Sequence, residues 1–245
     1  MHLCIINLNL TNTEFYTCRI INIITVTPYL KRFFIQYDQA MPFQSGQFVI
    51  IEFGQLNHQF STRSYSIADR TEGDTIELCV VLKEDGAATP LLFNQQIGDV
   101  LKVSNPQGRF VLPELCPEDI SYGFICTGTG VAPFRAMIKD LLINRKITAP
   151  VHLFFGCRKQ ADILYREEFE QLAETYSNFH YTPVLSREPW NGATGYVHQH
   201  YDKVFSGKPP ALIYLCGWTE MIKQTRDQLK SYGYSRTEIK VEFYD

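Results

Sequence analysis

Two short runs in this chain carry residue types suited to phosphate-bearing, ring-bearing ligands. Arg63-Ser64-Tyr65-Ser66 offers a planar guanidinium fork, an aromatic face with its own hydroxyl, and two further hydroxyls. Alternation along a strand puts Arg63 and Tyr65 on one face and Ser64 and Ser66 on the other. Gly128-Thr129-Gly130-Val131-Ala132-Pro133 lies between the apolar run Phe124-Ile125-Cys126 and a helical pattern from Phe134. Small residues there admit a pyrophosphate to the backbone N–H groups of a helix start, and Pro133 fixes the first turn. The run is neither a G-x-G-x-x-G fingerprint nor a Walker loop, because no lysine followed by serine or threonine closes it. An ordinary edge strand with a solvated arginine, and a structural glycine turn, remain open for the two runs taken singly.

Further runs add to this chemistry. Gly86-Ala87-Ala88-Thr89 follows a strand ending at Lys83 and precedes a helical pattern from Pro90, which makes either an anion site or a plain hairpin with a helix cap. In Ser186-Arg187-Glu188 a hydroxyl and a guanidinium could grip the 2′-phosphate of an adenosine ribose. An acidic residue would instead bond the free 2′-hydroxyl, so Arg187 favours NADPH over NADH. Arg158, after Phe155-Gly156-Cys157, is either a second cation or a solvated loop residue. Cys216-Gly217-Trp218 ends an apolar strand, where a buried inert thiol is the commoner meaning. The sequence closes on Val241-Glu242-Phe243-Tyr244-Asp245. Two phosphate-bearing ligands are implied, a flavin held beside a nicotinamide.

These loops need elements to hold them. Residues 14 to about 112 read as short strands, among them 33–37, 48–53 and 75–82, broken by turns at Gly46, Gly73-Asp74 and Gly98-Asp99. A small antiparallel β-barrel follows. Beyond Cys116-Pro117 the pattern changes to strands at 122–126, 151–155, 181–185, 211–216 and 239–244, with helices at 134–144, 167–176 and 220–232. Strand and helix in alternation imply a parallel sheet covered on both faces, with ligands at the carboxyl ends of its strands. The division expected is a barrel domain over 1–115 and an α/β domain over 116–245.

Composition bounds the alternatives. Of 245 residues, 45% are hydrophobic and 20% charged, as in an ordinary globular protein. Net charge is -3, with 8 basic against 11 acidic residues to position 115 and 15 against 15 after it, so neither half has the basic excess that nucleic-acid binding needs. The seven cysteines, at 4, 18, 79, 116, 126, 157 and 216, form no C-x-x-C pair and no clustered spacing for a metal or iron–sulfur site. Free thiols in a reducing cytoplasm are expected. The opening Met1-His2-Leu3-Cys4 lacks a signal-peptide pattern, and no window approaches the apolar length of a membrane span.

Taken in order, these segments resemble the ferredoxin-NADP reductase superfamily from about residue 15 onward. Arg63-Ser64-Tyr65-Ser66 looks like its R-x-Y-S flavin motif, and Gly86 to Thr89 like its second flavin phosphate loop. Asn105 to Phe110 looks like its G-P-x-G-x-F turn, while GTGVAP, FGCRKQADILYREEF, SRE and CGW look like motifs of its nucleotide domain. The resemblance implies FAD and NADPH as cofactors, with NADH possible. It also implies a catalytic set of Ser66, Cys216, Glu242 and Tyr244. Arg63, Ser64, Tyr65, Ser66, Gly86, Ala87, Ala88, Thr89 and Tyr244 would hold the flavin. Gly128, Thr129, Gly130, Arg158, Ser186 and Arg187 would hold the dinucleotide. The C-x4-C-x2-C cluster of oxygenase reductases is absent, which implies delivery of electrons from a monomer to a separate ferredoxin or flavodoxin-type carrier. A flavin reductase, the reductase component of an oxygenase, and a flavin-binding regulatory subunit are the rival readings.

Overall fold

The computed structural model describes residues 13–56, 59–71 and 74–244. Cys4, Gly73 of the expected Gly73-Asp74 turn, and Asp245 lie outside the described residues. The first part is the expected barrel. Strands β1 (Phe15–Thr27), β2 (Leu30–Gln36), β3 (Phe48–Leu56), β4 (Gln59–Thr71), β5 (Thr75–Val81) and β6 (Val100–Ser104) close in the order β1-β2-β5-β4-β3-β6. Every neighbouring pair is antiparallel. The short helix α1 (Thr89–Phe93) lies between β5 and β6. Phe33, Ile35, Val49, Ile67 and Leu78 fill the interior, which the alternation of apolar residues along each strand dictates.

The second part builds a six-stranded parallel sheet. Its elements are β7 (Ser121–Thr127), α2 (Val131–Lys139), β8 (Val151–Cys157), α3 (Arg166–Thr175), β9 (Phe179–Leu185), β10 (Ala193–Thr194), α4 (Asp202–Phe205), β11 (Ala211–Gly217), α5 (Thr219–Ser231) and β12 (Ile239–Phe243). The strand order is β10-β9-β8-β7-β11-β12. From β7 the chain steps outward to β10, then crosses back to place β11 on β7's other side. The carboxyl ends of β7 and β11 therefore flank a topological switch point, where sheets of this kind bind ligands.

Two details depart from the sequence reading. The 134–144 helix begins at Val131, because a 3-10 turn over Gly128–Gly130 winds directly into it. It ends at Lys139 and continues as one π-helical turn over Asp140–Asn144. The two-residue β10 and four-residue α4 are too short to show a period. One apolar cluster crosses the junction, joining Leu30, Ala68 and Cys79 of the barrel to Phe124, Phe134 and Met137 of the sheet domain.

Candidate functional site

At the switch point the loops after β7 and β11 are in direct contact. A Cβ on Gly130 would sit 2.5 Å from the carbonyl oxygen of Cys216, so only glycine allows this approach. Gly217, at φ +126°, faces Thr127 just as closely. The Thr127 hydroxyl accepts a hydrogen bond from the Trp218 N–H at 3.1 Å, which staples the two loops. Thus Gly130 meets protein backbone on one side, while Gly128 is exposed at φ +55° and Thr129 is half-buried.

Parallel register sets Cys126, Cys216 and Glu242 side by side across β7, β11 and β12. Ser66, from β4 of the barrel, donates from Oγ to Glu242 Oε1 at 2.8 Å across the seam. Burial raises the Glu242 pKa to about 7, although the Ser66 bond favours the charged form. Burial likewise holds the Cys216 thiol protonated, raised well above its ordinary range, with Glu242 and Cys126 adding to the shift. The Tyr244 backbone is tied to Gly217 at 3.0 Å. Its hydroxyl is buried, flanked by Cys216, Glu242 and Ser66, yet makes no hydrogen bond of proper geometry. Four residues drawn from three separate motifs therefore meet at one point.

Other expected site residues fall around this point. Tyr65 is paired in register with Val49, and its hydroxyl is also buried without a partner. Burial pushes its pKa up to about 12. Arg63 is exposed, with Nη1 donating to the Thr62 carbonyl at 2.7 Å, and Ser64 is exposed opposite Ile50. Gly86 and Ala87 lead through buried Ala88 into α1. The Thr89 hydroxyl is engaged inside this loop, accepting from the Lys83 N–H at 2.9 Å and lying 3.1 Å from the Lys83 carbonyl. At the far edge, Arg158 and Arg187 are both exposed and joined by an Arg187 N–H to Arg158 carbonyl bond of 3.1 Å. Ser186 donates from Oγ to the Cys157 carbonyl at 3.2 Å. A separate cleft of about 990 Å³ at the junction is lined by Asp69, Lys139 and Arg145 among others, and by none of the expected site residues.

Two buried tyrosine hydroxyls without a well-formed hydrogen bond beside a seam, with an exposed guanidinium on the same strand as one of them, suit a large planar group bearing its own polar atoms and phosphate. Flavin has that chemistry, and the residues present fit it. A barrel joined to a parallel sheet, with these residues gathered at the switch point, is an architecture suited to a flavin beside a nucleotide.

Comparison with known proteins agrees. Residues 17–112 match the oxidoreductase FAD-binding domain family, and residues 124–227 match the oxidoreductase NAD-binding domain family. Over 210 residues the chain is 36% identical to the reductase component of phenol 2-monooxygenase from Pseudomonas sp. (strain CF600), covering 82% of this chain and 57% of that protein. It is 30% identical to ferredoxin–NADP reductase B of Sorangium cellulosum, covering 95% of this chain and 98% of that protein. A solved ferredoxin NADP+ reductase from Neisseria gonorrhoeae with bound FAD and NADP superposes with a TM-score of 0.80 at 26% identity, over 94% of this chain and 98% of that one. The chain belongs to the ferredoxin-NADP reductase superfamily. It spans 57% of the length of that phenol 2-monooxygenase component and 59% of the phenol hydroxylase P5 protein of Acinetobacter pittii (strain PHEA-2).

The sequence reading missed the groups that join the two domains, namely Arg32, Glu77, Arg135 and Tyr165. Their signal was a lone glutamate inside the apolar run 76–81, a strand buried at six of seven positions.

Proposed function

We propose that this chain is an NADPH-dependent flavin oxidoreductase that passes single electrons to a ferredoxin or flavodoxin-type carrier. The supporting observation is the Ser66–Glu242 bond of 2.8 Å, which joins the expected flavin strand to the sheet in register with Cys216. FAD, when bound, supplies the exchange between two-electron and one-electron chemistry. Arg63, Ser64 and the backbone of Gly86, Ala87, Ala88 and Thr89 would hold its phosphates, with Tyr65 against its ring and the Tyr65 hydroxyl on its side chain. Gly128, Thr129 and Gly130 would receive the dinucleotide, Cys216 would sit near its nicotinamide, and Tyr244 would lie against the flavin. Glu242, with a pKa raised to about 7, exchanges a proton near neutral pH, and Ser66 Oγ, its hydrogen-bond partner, would relay that proton toward the flavin.

Arg187 and Arg158 support NADPH over NADH, because two exposed arginines on loops joined by a backbone bond offer guanidiniums suited to a 2′-phosphate. The carrier assignment draws on the Sorangium cellulosum relative, of which 98% is covered. The six free cysteines among the described residues suit a reducing cytoplasm, and among those residues no helix is long and apolar enough to cross a membrane. A second reading, the reductase component of an oxygenase, has the 36% identity to the phenol 2-monooxygenase component in its favour.

The test mixes flavin-loaded protein anaerobically with NADPH or NADH and follows the flavin absorbance. Fast bleaching by NADPH is expected. Arg187→Ala should weaken NADPH reduction about tenfold or more, the scale of one lost charge-assisted contact, and leave NADH nearly unchanged. Equal bleaching of the native protein by both donors would remove the role given to Arg187. Turnover with ferredoxin compared with free FMN and with an oxygenase component identifies the acceptor.

A further inference from the structure

A buried carboxylate lies where the two domains meet, outside the site described above. Glu77 of β5 is 1% exposed. Arg32 of β2, in the same domain, grips it with two bonds of 2.6 and 3.0 Å. Two groups from the sheet domain reach the same carboxylate: Arg135 Nη1 of α2 at 2.9 Å, and the Tyr165 hydroxyl at 2.7 Å. The Tyr165 ring lies against both guanidiniums, 4.8 Å from Arg32 and 4.5 Å from Arg135. Arg135 also bonds Asp69 of β4 at 3.1 Å and Glu168 of α3 at 2.7 Å. Tyr165 adopts a left-handed backbone at φ +57°. That conformation is unfavourable for a bulky residue and persists only where its surroundings over-determine it.

Each arm of this latch leads to a loop assigned to the dinucleotide. Arg135 belongs to the helix that the Gly128–Gly130 turn opens. Tyr165 ends the segment that begins at Cys157 and carries Arg158, and that segment is bound to the Ser186 loop through the Arg187–Arg158 backbone bond and a Gln160 N–H to Glu188 bond of 2.7 Å. The barrel holds the same segment a second time, through the Tyr29 hydroxyl on Asp162. On the barrel side, Glu77 is paired in register with Asp69 on β4, the strand that carries Tyr65 and Ser66.

We infer that Glu77 is a positioning residue, whose carboxylate fixes the flavin face of the barrel against the two nucleotide-gripping loops so that the reacting rings align. The inference rests on the reading given under Proposed function. Apolar packing holds the two domains together, whereas the two directed bonds that Arg135 and Tyr165 make to one carboxylate, itself held by Arg32 within the barrel, set the angle between them. Misplacement of reacting groups by about 1 Å can cost about 100-fold in rate.

The test compares the native full chain with Glu77→Gln and Tyr165→Phe, both loaded with FAD. Measured quantities are the rate of flavin reduction by NADPH, the long-wavelength absorbance of the stacked flavin–NADP+ pair, the Kd for 2′,5′-ADP, and the melting profile of the flavin-free full chain. Both variants should reduce about 10- to 100-fold more slowly and lose the long-wavelength band, with FAD content and 2′,5′-ADP affinity within about twofold of native. Their flavin-free melting should split into two transitions where the native chain shows one. Native reduction rates in variants that retain both ligands would overturn the role. Should Glu77→Gln not fold, Tyr165→Phe decides, since it removes a single hydroxyl and keeps the ring between the guanidiniums. If the native protein is not reduced by either nicotinamide, the proposed function fails, and the melting profile judges the latch alone.

Discussion

A carboxyl group stripped of water on folding holds its proton more tightly, and Glu242 is in that position, with a pKa raised to about 7 by burial against the opposing bond from Ser66. Through the range from the ordinary glutamate value to about 7, the unfolded chain has released this proton while the folded chain keeps it. Stability from this group is therefore complete at acid pH and declines as pH rises through 7, by up to about 3 kcal/mol. Thermal midpoints recorded against pH should show the decline in native protein and lose it in Glu242→Gln. Because the Ser66 hydroxyl stabilises the carboxylate, Ser66→Ala should move the alkaline break in flavin reduction upward by about one pH unit. A downward move would mean that Ser66 does not act on this carboxylate. Nothing in residue spacing could join Ser66 to Glu242, which lie 176 positions apart. Family resemblance brought them together on paper. Glu77 stayed hidden because its partners Arg135 and Tyr165 lie 58 and 88 positions away, beyond any local pattern.

The strands and helices were legible wherever a period had room to repeat, as in β7, β8 and α5, and illegible where it did not, as in β10 and α4. The loops between them carry the consequence. Gly130 was read as a ligand-binding glycine, but its missing side chain is also what lets the β7 loop rest on the backbone of Cys216 and Gly217. Gly130→Ala would drive a methyl group to 2.5 Å from a carbonyl oxygen that belongs to a central strand. The loops must then part, at about 1–3 kcal/mol, the usual cost of overpacking a tight site. Chemical denaturation should register that loss. Calorimetry with 2′,5′-ADP should show weaker binding, while FAD content, set by the barrel, stays at the native level. Unchanged nucleotide affinity would show that this contact carries no part of the binding geometry.

At the scale of the whole molecule the question is what the buried ions at the domain junction contribute. Charges taken out of water gain little net stability even when paired, yet removing one partner leaves the others stranded. Arg135 is 6% exposed and faces Glu77, Asp69 and Glu168. With Lys139 left to hold Asp69 and Arg32 left to hold Glu77, Arg135→Met should still cost about 3–5 kcal/mol, a fall in Tm of about 6–20 °C for a chain of this size. Combining it with Arg32→Met, Glu77→Leu and Tyr165→Phe removes the groups around Glu77 along with their bonds, and leaves Asp69 and Glu168 to Lys139. That fourfold variant should regain most of the lost Tm, because apolar replacement of a whole buried network is close to neutral. Its flavin should nevertheless be reduced as slowly as in Glu77→Gln, because apolar side chains fill the junction without fixing its angle. Recovery of both Tm and reduction rate would show that the network serves stability alone, whereas recovery of Tm with a persistently slow rate separates orientation from stability.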